Sequence, residues 1–256
     1  CGLSDWDVPE ISFETWIRDL EAVVDAEGLD RFPLFGLSQG AAVAVAYAAR
    51  HPERVTRLIL CGGYARGRFE RDPSDRSRRE AETLENLLAL GWGRENPAFR
   101  QAFSTLLMPE ATPEQMDWLS ELQRVSTNAE NALRIERTSY GINVCEEARR
   151  VTVPTLVLHA RDDAMIPFGQ GRELATLIPD ARFVPLDSIN HVLLEDEPAW
   201  HRFLELVRDF LDVATESDDA DDRGFPELTP REREVLDVMA RGLSIDEIAA
   251  TLHISP

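Results

Sequence analysis

The feature that most constrains the fold is a strand, a sharp turn, a helix of small residues and a second strand, all between residues 32 and 61. The apolar run 32–35 is typical of a buried strand, and residues 39–50 predict a helix that ends at His51-Pro52. The stretch "VTRLILCGG" then predicts another buried strand. A helix that joins two strands in this way indicates a parallel α/β sheet.

The same alternation continues on both sides of this unit. Residues 13–27 have apolar side chains at helical spacing, and Gly28 follows where a helix commonly ends. Further along, "VPTLVLHA" and "ARFVPLD" predict strands, and residues 169–178 and 197–213 predict helices. Residues 64–150 are charged and helical in pattern, so we expect a helical insertion in a domain that spans residues 1–213.

Composition excludes several classes of protein. The 27 basic and 47 acidic residues give a net charge of −20, which disfavours binding to nucleic acid or anionic membranes. No run of about 18 apolar residues predicts a membrane span. The three scattered cysteines match neither a disulfide framework nor a zinc site, so we expect a reducing cytoplasmic location and neither metal nor cofactor.

The turn "FGLSQG" carries the candidate nucleophile. It contains Gly36-x-Ser38-x-Gly40 between a predicted strand and a predicted helix. A sharp turn there needs small residues two positions before and two after the serine. The backbone N–H of Gln39, at the start of the helix, is the candidate oxyanion donor. The alternative is a glycine-rich turn with an ordinary serine.

A serine nucleophile needs a base and an acid that orients the base. His191 lies in a loop after a predicted strand, at the sheet edge where α/β active sites assemble. Asp162 and Asp163 follow "TLVLHA" at the same edge, although a solvated loop is the alternative for either. The other histidines are assigned to a helix end, a buried strand, a helix and the tail: His51, His159, His201 and His253.

Residues 1–213 resemble an α/β hydrolase through "CGLSDWD", "GLSQG", "PERVTRLIL", "LHARDDAMIP" and "NHVLLEDEP". The resemblance implies a catalytic triad of Ser38, Asp163 and His191, because the family's acid stands four residues before the proline, here Pro167. Ala160 departs from a common glycine. The family also has four strands and a His-Gly oxyanion loop before "CGLSD". We therefore expect those elements upstream, and expect this chain alone to be poorly soluble or unstable.

The insertion at residues 64–150 would then form a cap over the active site and move on ligand binding. Its apolar residues are candidates for the pocket lining, although such residues more often serve packing. They are Trp92, Phe99, Phe103, Leu106 and Leu107.

The C-terminal part predicts a separate module. Residues 214–227 carry six acidic residues and Arg223, which is typical of a solvated linker. In residues 228–256, Thr229 and Ser244 each begin a capping box for a short helix. The stretches "LTPREREVL", "GLSIDEIA" and "LHISP" resemble the first half of a LuxR-type helix-turn-helix domain. The recognition helix would follow, so this chain alone should not bind DNA specifically. The alternative is a helical hairpin packed on the hydrolase.

These observations favour a LuxR-family transcriptional regulator whose hydrolase-like domain senses a small molecule. The alternative is a serine hydrolase that cleaves an ester, thioester or lactone. A third hypothesis joins the two, with ligand occupancy controlling DNA binding. The expected partners are a small molecule, DNA for the complete chain and a second copy in a homodimer of the complete chain, without a membrane.

Overall fold

A computed structural model describes residues 4–92, 102 and 104–212 of the chain. Its centre is a sheet of four strands in chain order: β1 (Phe32–Leu37), β2 (Val55–Cys61), β3 (Thr155–Ala160) and β4 (Arg182–Leu186). Each strand pairs in parallel with the next. The predicted parallel α/β sheet is confirmed, and the ends of its strands meet at one edge.

Helices flank the sheet and fill the connection between β2 and β3. They are α1 (Phe13–Ala26), α2 (Gln39–Arg50), α3 (Arg68–Arg71), α4 (Asp75–Gly91), α5 (Pro113–Ser126), α6 (Ala129–Tyr140), α7 (Cys145–Arg150), α8 (Phe168–Leu177) and α9 (Pro198–Asp212). Helix α1 begins at a capping box between Ser12 and Thr15. It ends as predicted, because Gly28 adopts a φ of 63° just beyond it.

The two faces of the sheet form separate apolar cores. Leu58 and Leu60 pack in the larger core, which contains residues of α1, α2, α7 and α8. Their strand neighbours Ile59 and Cys61 pack in the second core, which contains residues of α9. This alternation follows from the period of two along a strand. The alanines of α2 are buried, which allows this helix to approach the sheet closely.

Strand β1 departs from the prediction of a buried strand. Phe35 is 48% exposed and Leu37 is 37% exposed. The reason is position, because β1 is the first strand of the sheet and pairs only with β2 among the described residues. Phe35 makes an edge contact with the ring of Phe203 on α9, with 6.0 Å between ring centroids.

The described part of the long connection from β2 to β3 is largely helical, as predicted for residues 64–150. Helices α4 and α6 pack together, and Arg137 of α6 forms an ion pair with Glu85 of α4 at 2.7 Å. Within the described ranges, no helix is long and apolar enough to cross a membrane. Phe99, Phe103 and the predicted linker and LuxR-like segment fall outside the described residues.

Candidate active site

Ser38 occupies a strained turn between β1 and α2. Its φ of 55° and ψ of −126° lie in a region that residues other than glycine rarely adopt. The backbone N–H of Ser38 donates to the Cys61 carbonyl at 2.9 Å, and the Ser38 carbonyl accepts from Ala41 N–H at 3.0 Å. These bonds fix the turn at the carboxyl ends of β1 and β2. Gln39, the candidate oxyanion donor, is the first residue of α2.

The two glycines of the turn differ in the space around them. A Cβ on Gly36 would lie 2.6 Å from the Gly40 carbonyl oxygen and 2.7 Å from Ala41 Cα. Only glycine fits there, as predicted. A Cβ on Gly40 would meet nothing within 4 Å among the described residues, so alanine, which is also small, would fit at this position.

Asp163 and His191 form a buried pair at the same edge of the sheet. His191 Nδ1 lies 2.8 Å from Asp163 Oδ2, and both side chains are 1% exposed. The other carboxylate oxygen of Asp163 accepts backbone N–H groups of Met165 at 2.9 Å and Ile166 at 2.8 Å. Asp162, the alternative acid, is exposed.

Asp163 is held in its ionised form despite burial. Burial raises the pKa of this carboxyl group. The hydrogen bond from His191, the charge of its ring and the two backbone N–H groups together outweigh that effect and leave the pKa below its usual value. A buried carboxylate hydrogen-bonded to Nδ1 fixes the orientation of the His191 ring, so that Nε2 points away from Asp163.

The Nε2 atom of His191 is buried and has no hydrogen-bond partner among the described residues, so it forms no hydrogen bond with the Ser38 hydroxyl. Gly62 lies beside the His191 ring, and Gly63 lies beside the Ser38 backbone. A Cβ on Gly62 would be 2.9 Å from His191 Cε1, and one on Gly63 would be 3.7 Å from the Ser38 carbonyl oxygen. Catalytic hydrogen bonds are often long without substrate and shorten when it binds.

His159 was predicted to be a satisfied core histidine, and this is only half correct. It is fully buried, and its Nε2 donates to the Ile166 carbonyl at 3.0 Å. However, Nε2 also lies 3.5 Å from Asp163 Oδ2, and Nδ1 has no hydrogen-bond partner in the described chain. Burial lowers the pKa of His159, which favours the neutral ring. The sequence signal was its position four residues before Asp163, at the end of a strand.

The described candidates for the pocket lining have different roles. Trp92 donates its indole N–H to the Thr127 carbonyl at 2.8 Å. Leu106 lines a cavity beside Met165. The carbonyl of Leu107 accepts the backbone N–H of His191 at 2.9 Å, so the insertion positions the histidine loop through its backbone.

Comparison with protein families identifies both parts of the chain. Residues 3–198 match the family described as alpha/beta hydrolase fold, and residues 226–256 match the family described as bacterial regulatory proteins, luxR family. The chain therefore belongs to the α/β hydrolase fold family and carries a LuxR-type segment after that domain.

Individual relatives agree with this assignment. The pyrrolizixenacetamide deacetylase of Xenorhabdus hominickii is 26% identical over 216 residues, which cover 82% of this chain and 76% of the relative. The enol-lactonase of Burkholderia xenovorans LB400 has a TM-score of 0.64 at 26% identity, covering 79% of this chain and 74% of its own. A thermophilic esterase from Thermogutta terrifontis has a TM-score of 0.62 at 25% identity, covering 80% of this chain and 74% of its own.

Proposed function

We propose that the α/β domain is a serine hydrolase that cleaves carboxylic ester, thioester or lactone bonds. The observation that carries this proposal is the buried Asp163–His191 pair, whose unpartnered Nε2 lies at the sheet edge that also holds the strained Ser38. Two relatives support the same reaction class, because their names describe an enol-lactonase and an esterase.

In the proposed reaction, Ser38 Oγ attacks the substrate carbonyl carbon while His191 Nε2 takes the hydroxyl proton. Asp163 holds the ring and stabilises the imidazolium that forms. The Gln39 N–H donates to the oxyanion. His191 then gives the proton to the leaving group, and the ester bond to that group breaks. Water, activated by the same histidine, releases the acid from Ser38 and restores the hydroxyl.

The test compares Ser38→Ala and Asp163→Asn with the unaltered protein, using 4-nitrophenyl butyrate as the ester. Loss of a triad member should lower kcat by about 10³-fold or more, because nucleophile, base and orienting acid act as a unit. Asp162→Asn is the matched control, since the neighbouring carboxyl group is exposed and should leave turnover within about twofold. Unchanged turnover in Ser38→Ala would disprove the proposal.

A second function is proposed because one chain carries both a hydrolase domain and a LuxR-type segment. We infer that the gene product is a transcriptional regulator that binds promoter DNA, and that occupancy of the hydrolase site controls that binding. LuxR-type modules read the major groove through a recognition helix. A homodimer in the cytoplasm is part of this proposal.

The regulator is tested by a DNA mobility-shift titration of the gene product against its own promoter region. We expect specific binding whose apparent Kd changes about fivefold or more when a slowly hydrolysed ester fills the site. Specific DNA binding with an apparent Kd that the ester does not change, in both wild type and Ser38→Ala, would refute the coupling. Absence of any specific binding would refute the regulator itself.

A further inference from the structure

A small polar cavity adjoins the nucleophile. It is lined by Ser38 and Gln39 on one side and by side chains of α3, α6 and the loop after β2 on the other. Its volume is about 40 Å³. That space holds about three water molecules, enough for a carboxylate. The cavity is therefore a subsite of the proposed active site, and its chemistry should select the substrate.

Two arginines one turn apart on α3 line this cavity. Arg68 lies 3.3 Å from the carboxylate of Glu80. Arg71 is half-buried and forms no ion pair with any described residue; its guanidinium lies 5.9 Å from the Tyr64 ring centroid. Burial and the charge of Arg68 lower the pKa of Arg71. A half-buried guanidinium without a carboxylate partner, beside a second guanidinium, is an environment that favours an anion.

Tyr140 adds a hydroxyl group to the lining of the cavity. Tyr140 of α6 is 3% exposed and lines the cavity, and its hydroxyl lies beside the carboxyl group of Glu136, one turn earlier on the same helix. Its ring packs on Phe69 of α3, with 4.9 Å between centroids. Burial and the neighbouring Glu136 raise the pKa of this phenol, so the hydroxyl keeps its proton. This hydroxyl can donate to the Glu136 carboxyl group or to an anion that enters the cavity.

Glu136 is the one lining group that could oppose an anion. It lies one turn before Tyr140 on α6 and makes no ion pair with Arg68 or Arg71 within 4.0 Å. Burial raises the pKa of this carboxyl group above its usual value. The hydrogen bond from Tyr140 and the charge of Arg68 oppose that effect, and the charge of Glu85 adds to it. An anion in the cavity would favour the protonated form further, which turns Glu136 into a second neutral donor.

We propose that this cavity binds a carboxylate on the substrate, through the guanidinium groups of Arg68 and Arg71 and the hydroxyl of Tyr140. The inference rests on the proposed hydrolase and narrows its substrates to esters or lactones that carry a free carboxylate. Binding that group beside Ser38 places the scissile carbonyl against the nucleophile.

The first experiment measures binding without catalysis. Butyrate and its neutral isostere butyramide are titrated by calorimetry into Ser38→Ala protein and into the same protein with Arg71→Gln or Arg79→Gln. Arg79 is the matched control, because it is exposed on α4 and does not line the cavity. We expect butyrate to bind at least about tenfold more tightly than butyramide, and Arg71→Gln alone to remove this preference.

Equal affinity for the two probes, or a preference that Arg71→Gln leaves intact, would overturn the inference. Tyr140→Phe gives a second variant that keeps the packing on Phe69 while removing the donor. It should weaken butyrate binding by about three- to tenfold without altering butyramide. Circular dichroism confirms that each variant keeps its fold.

A kinetic arm separates this inference from the proposed reaction. The ratio of kcat/KM for 4-nitrophenyl hemisuccinate over 4-nitrophenyl butyrate is compared in the unaltered protein, Arg71→Gln and Arg79→Gln. We expect Arg71→Gln to lower this ratio about tenfold or more and Arg79→Gln to preserve it. If the protein hydrolyses both esters without preferring the one that carries a carboxylate, the carboxylate subsite is refuted and the proposed hydrolase is not. If the protein prefers butyrate through Arg71 but hydrolyses neither ester, the proposed hydrolase is refuted and the carboxylate-binding site is supported.

Discussion

Single residues around Ser38 are constrained by the direction in which a side chain would point. Gly36 faces the backbone of the helix that follows the turn, and a Cβ at this position would lie less than 3 Å from three backbone atoms of that helix. Gly40 lies in the first turn of α2 and faces open space among the described residues. Two glycines in one motif therefore serve different purposes, and only the first is required by contact.

The matched pair Gly36→Ala and Gly40→Ala tests this difference. Gly36→Ala should lower the free energy of unfolding by about 1–3 kcal/mol, because backbone must shift to admit the methyl group. Gly40→Ala should raise it by about 0.5–1 kcal/mol, because alanine favours the helix. Urea denaturation measures both. A destabilised Gly40→Ala would show that the motif needs both glycines for packing.

At the scale of elements, helix α6 holds the segment before α1 in place. The guanidinium of Arg134 donates to the Val8 and Pro9 carbonyls at 3.0 Å each, and Asn131 donates to the Trp6 carbonyl at 2.7 Å. Thr138 donates to the Ile11 carbonyl at 3.1 Å. An extended segment thus satisfies its carbonyls on side chains of a helix rather than in a sheet.

Arg134→Ala should release this segment, because two charge-assisted hydrogen bonds to backbone are lost together. We expect the free energy of unfolding to fall by about 1–3 kcal/mol and protease cleavage between residues 4 and 12 to become faster. Arg79→Ala, at an exposed position on α4, is the control and should change neither. Equal cleavage rates in the two variants would contradict this role of α6.

At the scale of the whole molecule, two buried titratable groups make stability depend on pH. The pKa of His159 is lowered by burial, so the unfolded chain takes up this proton first when the pH falls below about 6.5. The pKa of Asp163 is also below its usual value, because its hydrogen bonds outweigh burial, and its contribution is lost at more acidic pH. Both contributions decrease from neutral toward acidic pH, whereas the raised pKa of Glu136 contributes with the opposite sign.

His159→Gln tests the first of these contributions while keeping a donor that can reach the Ile166 carbonyl. The drop in unfolding free energy between pH 7 and pH 5 should be smaller in this variant than in the unaltered protein. His201→Gln, at an exposed position on α9, should keep the full drop. The measurement is urea denaturation at the two pH values. Identical pH dependence in all three proteins would rule out a contribution from His159.

The sequence by itself determined the elements of the described domain. The predicted strands and helices recur with ends that differ by a few residues, since periods of two and 3.6 are properties of neighbouring positions. Motif spacing also selected Ser38, Asp163 and His191, whose catalytic roles stay predictions. Glycine at position 36 followed from the same local argument, because the atoms that it faces are only a few residues away.

Only the tertiary structure decided which distant side chains meet. Asp163 and His191 are 28 residues apart in the chain, and their 2.8 Å contact depends on how β3 and β4 pair. The contact of His159 with Asp163, the exposure of Phe35 and the cavity around Arg71 were not predicted. The physical reason is that burial and charge environment depend on packing between elements, which no local period encodes.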